Sequence, residues 1–305
     1  MRYLVFILFL GCSSPSGKNN LWHPPDAIPP SPEGELIRYG RELIVNTSLY
    51  LGPKGSVAAI SNGMNCQNCH LDAGTRAWGN NYSAVFSTYP KFRDRSGAIE
   101  SIYKRINDCI QRSLDGQPLD TTGREMQAIY AYMKWLGRDV PKGSRPSGVG
   151  ISELPCPDRA ADTLRGSVVY TTKCARCHGP QGAGMLYPDS CHYIYPPLWG
   201  PHSYNTGAGL FRLSRLAGYV KDNMPFGLAS HNAPQLTDAE AWDVAAYINS
   251  RPRPEKTFPA DWPDLSRKPF DHPFGPYADS FSEVQHKYGP FGPIKAVLAR
   301  KPTAR

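Results

Sequence analysis

Two CxxCH pentapeptides constrain this chain more than any other feature of its sequence. They consist of Cys66, Cys69 and His70 in the first motif and of Cys174, Cys177 and His178 in the second. In such a motif the two thiols form thioethers with the vinyl groups of one haem, and the adjacent histidine supplies the proximal ligand. The alternatives are disulfides or zinc half-sites, but zinc would need further Cys or His pairs at ligand spacing, and none exists. The motifs therefore predict two covalently bound haem c groups, with His70 and His178 on the irons.

The length of 305 residues is typical of two domains. The predicted fold class is mainly α, with two class I cytochrome c-like domains, an irregular linker and an extended C-terminal strap. The predicted boundaries are an export signal at 1–12, a tether at 13–30, a first domain at 31–140, a linker at 141–155, a second domain at 156–252 and an extended segment at 253–305.

Each domain is expected to begin and end with a helix. Ser31 before Pro32 is a helix start, and a second apolar periodicity from Gly123 to Leu136 predicts the closing helix of the first domain. In the second domain we expect helices from Asp158 to Tyr170 and after Thr237, which forms a capping box with Glu240. The plan of helix, haem motif, irregular middle and helix therefore repeats.

The N-terminus reads as an export signal. One arginine precedes an apolar run that is too short to span a bilayer, and Gly11 and Cys12 follow. Gly11-Cys12 resembles a bacterial lipoprotein box, in which Cys12 becomes the lipidated N-terminus; the alternative is an ordinary signal peptide with an incidental cysteine. We expect a periplasmic, lipid-anchored protein whose only membrane attachment is this anchor.

The charge of the chain favours a small anionic partner over nucleic acid. The formal charge of +8 falls to about +4 when two haems with two propionates each are counted, and net charge bears on the choice of partner. No helix interleaves basic and aromatic residues as nucleic-acid binding would require. We therefore expect no nucleic-acid partner.

Residue type alone does not decide which side chain is the distal ligand of the first haem. No histidine lies between His70 and His178, which leaves Cys109, Met126, Met133 and several lysines. The methionines belong to the apolar face of the closing helix, whereas Cys109 follows the motif at a plausible distance. After Cys12 and four haem cysteines are set aside, Cys109, Cys156 and Cys191 remain, and Cys156 with Cys191 is the simpler disulfide pair.

For the second haem, Met224 is the preferred distal ligand. It stands in an Asn-Met-Pro sequence well before the closing helix, where small c-type cytochromes carry their methionine. Met185 follows His178 too closely to reach the opposite face of the haem. The remaining alternatives are histidines, which we expect to be surface or hydrogen-bonded loop residues: His192, His202 and His231.

The chain resembles the dihaem thiosulfate dehydrogenases, also described as tetrathionate reductases. The likeness runs from about Gly34 to Pro293 and includes CQNCHLDAG at 66–74, YPKFRDRSG at 89–97, RINDCIQRSLDG at 105–116, KCARCHG at 173–179 and YGPFGPI at 288–294. It implies that Cys109 is the distal ligand of the first haem and that Arg95 and Arg105 lie near it. Some relatives place a lysine directly before the distal methionine, where this chain has Asn223.

The resemblance implies oxidation of two thiosulfates to tetrathionate. Because a thiolate holds the oxidised state of a haem and a thioether raises its potential, electrons would run from the first haem to the second and on to an acceptor such as a small periplasmic cytochrome c. Cys109, Arg95 and Arg105 would be the catalytic residues. The competing predictions are a non-catalytic electron-transfer cytochrome and a haem peroxidase, and the latter lacks a suitable histidine after His70.

Overall fold

The computed structural model describes residues 21–188 and 192–299. The predicted export signal, the start of the tether, Cys12, Cys191 and residues 300–305 lie outside these ranges. Within them the chain is mainly helical, with two short two-stranded sheets. None of the described helices combines the length and the apolar character needed to span a bilayer.

The first domain is built on two crossing helices. Its elements are α1 (Pro32–Val45), α2 (Thr47–Leu51), α3 (Leu71–Gly74), α4 (Val85–Thr88), β1 (Lys91–Arg93), β2 (Ala98–Glu100), α5 (Ile102–Ser113) and α6 (Arg124–Leu136). As predicted, the Ser31 hydroxyl caps α1 by accepting from the Gly34 N–H at 3.2 Å. A Cβ at Gly40 would lie 1.9 Å from the Ala128 carbonyl oxygen, so glycine permits the close crossing of α1 and α6.

The second domain repeats this crossing. Its elements are α7 (Thr163–Lys173), α8 (Ala175–His178), β3 (Met185–Leu186), β4 (Tyr193–Tyr195), α9 (Leu213–Asn223) and α10 (Asp238–Asn249). The predicted Thr237–Glu240 capping box is present at the start of α10. At the crossing of α7 and α10, a Cβ on Gly166 would lie 1.9 Å from the Asp243 carbonyl oxygen. In both domains, a glycine therefore allows the first and last helices to cross closely, although the two sequences differ.

The opening helix of the second domain begins later than predicted. We expected a start at Asp158, but α7 begins at Thr163, where the Asp162 carboxylate caps the helix by accepting from Leu164 N–H. Arg159 donates two hydrogen bonds to the Asp243 carboxylate, at 2.8 and 2.7 Å. These two hydrogen bonds hold the residues before α7 against α10. Those residues are therefore not part of helix α7.

The C-terminal segment is extended for only part of its length. Apart from a 3₁₀ turn at Leu265–Arg267, it is irregular up to Ser282 and then forms α11 (Glu283–Tyr288) and α12 (Gly292–Ala299). Phe291 and Ile294 are both 0% exposed and belong to the core of the second domain. The predicted strap therefore ends in two helices. Burial of these apolar side chains holds the last part of the segment against the second domain.

The domains contact each other through specific hydrogen bonds. The Asn205 N–H donates to the Arg112 carbonyl oxygen at 3.0 Å, and the Tyr219 hydroxyl donates to the Asn68 carbonyl oxygen at 2.8 Å. The rings of Trp78 and His231 stack with centroids 4.5 Å apart. Because Asn68 lies within the first CxxCH motif, these contacts hold that motif against the second domain.

Candidate functional site

The first CxxCH motif presents its histidine with one nitrogen free. Cys66–Asn68 form a 3₁₀ turn that Asn65 caps. The Nδ1–H of His70 donates to the Asn80 carbonyl oxygen at 2.6 Å, and burial lowers the pKa of His70 to about 4. The ring is therefore neutral, and its Nε2 has no hydrogen-bond partner in the described ranges. A carbonyl that holds Nδ1 and leaves Nε2 available is the arrangement of a metal-ligating histidine.

A cavity of about 120 Å³ lies beside this motif and is called the first haem cavity. Cys66, Cys69 and His70 line it, and Cys109 on α5 lines it as well. Both cysteines and the histidine of the motif thus line one cavity together with the predicted distal ligand. These residues fit a covalently bound haem.

The second motif is arranged in the same way. The Nδ1–H of His178 donates to the Pro196 carbonyl oxygen at 2.8 Å, and burial lowers the pKa of the histidine. Cys174, Cys177 and His178 line a cavity of about 280 Å³, the second haem cavity, and Met224 lines it too. These residues also fit a haem c group, with Met224 available as the distal ligand.

The rival ligands of the second haem lie elsewhere. Met185, His192, His202 and His231 are absent from the described lining of the second haem cavity. Instead of facing that cavity, His231 stacks on Trp78, and its Nδ1 is 3.2 Å from the Asp222 carboxylate. His192 stacks on Tyr187.

The predicted catalytic residues meet in a third, polar cavity of about 420 Å³, which we call the cationic cavity. It shares Cys69, His70, Arg105 and Cys109 with the first haem cavity, and Arg95 also lines it. Among the described residues, eight Lys and Arg side chains line it, against Asp108 and Glu153 as the acidic ones: Lys91, Arg93, Arg95, Arg105, Arg112, Arg145, Arg212 and Arg215. The structure therefore brings Cys109, Arg95 and Arg105 together at an anion-attracting site.

Arg105 lies close to Cys109. The negative charge of a Cys109 thiolate is the main cause that raises the pKa of Arg105. Arg105 forms no ion pair with a carboxylate in the part of the chain that the structure describes. Its guanidinium is therefore available to an anion beside Cys109.

Arg95 is held by residues of the C-terminal segment. The Arg95 carbonyl oxygen accepts from the Trp262 N–H at 2.6 Å, and the Arg95 guanidinium lies 5.7 Å from the centroid of the Trp262 ring. Asp261 is 4.0 Å away, whereas Arg112 binds the same carboxylate by a fork of two 2.7 Å hydrogen bonds. Burial lowers the pKa of Arg95 to about 10, which leaves it cationic at neutral pH.

Several residues of the site had no signal in the sequence. Arg145 and Arg215 stand outside both haem motifs and outside the runs that carry the family resemblance, and no local spacing connects them to Cys109. Asp261 and Trp262 were covered only by the expectation that the aromatic C-terminal segment crosses the domains. A composition rich in Pro, Phe and Tyr indicates such a crossing but does not reveal which residues make the contacts.

The two haem cavities adjoin. Cys69 lines the first haem cavity, the second haem cavity and the cationic cavity, and Asn68 lines the second as well. The first motif therefore forms part of the wall of the second site. This proximity provides a short route for electrons between the two sites.

The remaining cysteine prediction stays a prediction. Cys156 is half-buried and carries no disulfide bond within the described part of the chain. The Lys295 ammonium is 3.9 Å from its sulfur. The expected partner, Cys191, lies outside the described residues.

Comparison with known proteins places each motif in a cytochrome domain. Residues 56–141 match the family described as SoxA/TsdA, cytochrome c domain, and residues 164–252 match the family described as Cytochrome c. Each matched region contains one CxxCH motif. Two cytochrome c domains and two covalently bound haem c groups follow for this chain.

Relatives that match about three quarters of this chain have one name in common. The thiosulfate dehydrogenase of Stutzerimonas stutzeri (strain A1501) is 36% identical over 228 residues, which cover 75% of this chain and 71% of the relative. That of Allochromatium vinosum is 36% identical over 231 residues, covering 74% and 82%. The solved thiosulfate dehydrogenase (TsdBA) from Marichromatium purpuratum superposes with a TM-score of 0.71 at 35% identity, over 77% of this chain and 50% of that one.

Proposed function

Because this chain belongs to the thiosulfate dehydrogenase family, we propose that it joins two thiosulfate ions into tetrathionate and delivers the electrons to an external acceptor. The observation that carries the proposal is the convergence of Cys109, Arg95 and Arg105 on a cationic cavity next to the first haem cavity. An electron carrier has no need of a cavity lined by so many cationic side chains.

The reaction balances without protons. Each thiosulfate loses one electron, one S–S bond forms between the two outer sulfurs, no bond breaks, and tetrathionate leaves with two negative charges. When bound at the two CxxCH motifs, haem would supply the one-electron chemistry that this reaction needs. The task of the protein is therefore to gather two dianions and to hold their outer sulfurs together.

The cost of that approach is electrostatic. In water, unit charges about 4 Å apart interact by about 1 kcal/mol, so two dianions repel each other by about 4 kcal/mol, and by more where water is excluded. We propose that Arg95 and Arg105 offset this repulsion and orient the sulfonate oxygens by forked hydrogen bonds. Trp262 and Asp261 would keep Arg95 in position.

The two distal ligands set the direction of electron flow in this proposal. We propose that Cys109 serves the first iron as a thiolate and that Met224 serves the second as a thioether. Because a thiolate ligand would favour the oxidised iron and a methionine ligand would raise the potential, electrons would pass from the first site to the second. A small periplasmic cytochrome c would receive them there.

We also propose that the chain is exported to the periplasm and anchored by a lipid on Cys12. The charged start, the short apolar run and Gly11-Cys12 support this, and these residues lie outside the described ranges. In a cell fractionation, the wild-type protein should be found with membranes and the Cys12→Ser variant in the soluble periplasmic fraction. Equal distribution of both would refute the anchor.

A steady-state assay tests the proposed activity. Holoprotein is mixed with thiosulfate and ferricyanide, and tetrathionate is quantified. We expect two ferricyanides reduced and two thiosulfates consumed for each tetrathionate formed. If ascorbate-reduced protein passes electrons to ferricyanide but thiosulfate yields no tetrathionate, the chain is an electron carrier and not this enzyme.

A further inference from the structure

The cationic cavity contains more positive charge than one thiosulfate needs. Arg95 and Arg105 lie with Cys109, but Lys91 and Arg93 enter from β1. Side chains alternate along a strand. Lys91 and Arg93 are accordingly half-buried and line the cavity, while Phe92 between them is 58% exposed. The hairpin therefore directs two cations to the cavity.

Two more cations come from other parts of the chain. Arg145 belongs to the predicted linker, and Arg215 lies on α9 of the second domain. Burial lowers the pKa of Lys91, and the charges of Arg93, Arg145 and Arg105 lower it further. Burial also lowers the pKa of Arg215, and Arg145 is again among the charges that act on it. Hairpin, linker and second domain thus meet around one space.

Four of the eight Lys and Arg side chains around the cavity have no carboxylate partner within 4.0 Å among the described residues. Arg112 is neutralised by Asp261, and Arg212 by Asp271. Arg215 is 3.5 Å from Glu153, whose side chain is 84% exposed, so this pair is weak. Lys91, Arg93 and Arg145 form no ion pair within 4.0 Å in the described ranges. A group of cations without counter-ions around a cavity is suited to bind a multivalent anion.

We propose that Lys91, Arg93, Arg145 and Arg215 form a second dianion subsite, which holds the second thiosulfate against the one bound by Arg95 and Arg105. This inference rests on the proposed function and adds the location of the second substrate. It also assigns the second domain a part in substrate binding, through Arg215. The substrate site is then complete only when both domains and the linker are assembled.

The subsite also accounts for product release. Before coupling, the cavity would hold two dianions with four negative charges in total. Formation of the S–S bond with loss of two electrons leaves tetrathionate, with one negative charge at each end. The outer subsite then faces a monoanionic sulfonate where it had held a dianion, so its attraction weakens once the bond has formed.

The test uses Arg145→Gln and Arg215→Gln in the holoprotein, with Arg165→Gln as the matched control. Arg165 lies on α7, its side chain is 68% exposed, and it does not line the cationic cavity. Two readouts are taken: the initial rate against thiosulfate concentration with ferricyanide, and calorimetric titration with sulfate. Sulfate is a tetrahedral dianion that cannot be coupled, so it reports binding without turnover.

We expect the parent and Arg165→Gln to bind two sulfates, and each cavity variant to bind one. In the assay, the half-saturating thiosulfate concentration should rise about tenfold in both cavity variants, in keeping with the loss of a charge-assisted hydrogen bond. Arg145 is exposed, so its replacement keeps the test valid even if Arg215→Gln fails to fold.

The outcomes separate this inference from the proposed function. A parent that binds two sulfates in an Arg145-dependent way but makes no tetrathionate would support the subsite and refute the function. A parent that makes tetrathionate while both variants match Arg165→Gln in rate and stoichiometry would overturn the subsite alone. A single sulfate bound to the parent would overturn it as well.

Discussion

The two haem cavities hold their histidines in the same way but differ in the charge of the residues around the rest of the cavity. In both, the proximal histidine donates its Nδ1–H to a backbone carbonyl oxygen. The acceptor is the Asn80 carbonyl in the first cavity and the Pro196 carbonyl in the second. Beyond the motif, the first opens into a cavity lined by eight Lys and Arg side chains of the described residues. The second is mostly apolar, and its described lining contains one lysine and no arginine: Ile194, Tyr195, Tyr219, Met224, Phe226 and Leu236 are among its residues.

This contrast shows where the specialisation of each site resides. The motif determines the proximal half, so that half cannot distinguish a substrate site from an electron relay. The distal half differs in charge, in polarity and in the predicted ligand, Cys109 or Met224. Substrate chemistry is therefore expected at the first site and electron delivery at the second.

The largest expected effect comes from Cys109→Gly. Haem attachment should persist, because the thioether cysteines are elsewhere, while thiosulfate oxidation should fall by a factor of roughly a hundred or more, about 2.7 kcal/mol of barrier. The measurement is tetrathionate formation in the ferricyanide assay. Cys156→Ser, in the second domain, is the matched control and should keep its activity.

Cys109→Met refines the same comparison. Exchange of a thiolate for a thioether should make the first site resemble the second and raise its potential. A redox titration identical to that of the parent would show that Cys109 is not a ligand. Wild-type turnover in Cys109→Gly would exclude its catalytic role.

The next effect concerns the arginines beside Cys109. Arg95→Gln and Arg105→Gln each remove a charge and a forked donor, so KM for thiosulfate should rise by roughly ten- to a hundredfold, as expected for hydrogen bonds to charged groups. We expect the larger rise for Arg105, which has no carboxylate partner in the described ranges. Haem potentials should change little. Arg138→Gln, whose side chain is 48% exposed outside the cavity, should bind thiosulfate like the parent.

The arginine prediction separates an enzyme from an electron carrier. Chemically reduced Arg95→Gln and Arg105→Gln should still pass electrons to ferricyanide at the parent rate. If both also oxidise thiosulfate with the parent KM, the anion site lies elsewhere in the molecule.

At the second site, Met224→His tests the predicted ligand. Imidazole in place of the thioether should lower the potential of that haem by an appreciable part of the about 0.8 V over which axial ligands act. The potential of the first haem should stay constant in the same spectroscopic titration. Met185→His is the control, since Met185 is 43% exposed and does not line the cavity. Identical titrations of the parent and of Met224→His would show that Met224 is not a ligand of the second haem.

The prediction furthest from the reacting groups concerns the stability of the segment that holds Arg95. Trp262 Nε1–H donates to His272 Nε2 at 3.0 Å, which requires a neutral ring, and burial lowers the pKa of His272 to about 3. An unfolded histidine has a pKa of about 6.5, so below that value the unfolded state takes up a proton that the folded state does not. Stability should then fall by about 1.4 kcal/mol per pH unit between pH 6.5 and 3 from this group.

A comparison with His272→Gln isolates this contribution. Denaturant unfolding is followed from pH 7 to pH 4 in both proteins. The parent should lose stability more steeply than the variant as the pH falls. Parallel pH profiles would show that His272 does not couple protonation to folding.

Much of the fold could be predicted because its signals are local. Ser31 and Thr237 mark helix starts through side chains that cap their own helices, and the apolar periodicity of α6 lies within thirteen residues. The start of α7 could not be predicted from nearby residues, because the Arg159–Asp243 fork spans 84 positions. The helical end of the C-terminal segment likewise depends on burial of Phe291 in a distant core.

For the site, the sequence by itself determined the haem attachment, because a CxxCH motif contains two thioether cysteines and a proximal ligand within five residues. The resemblance then indicated Cys109, Arg95 and Arg105, which do line one cavity. Only the tertiary structure decided which other charges surround them. Arg145, Arg215, Asp261 and Trp262 reach that region from the linker, the second domain and the C-terminal segment. Their positions follow from the packing of apolar cores far from the site, and no local spacing records them.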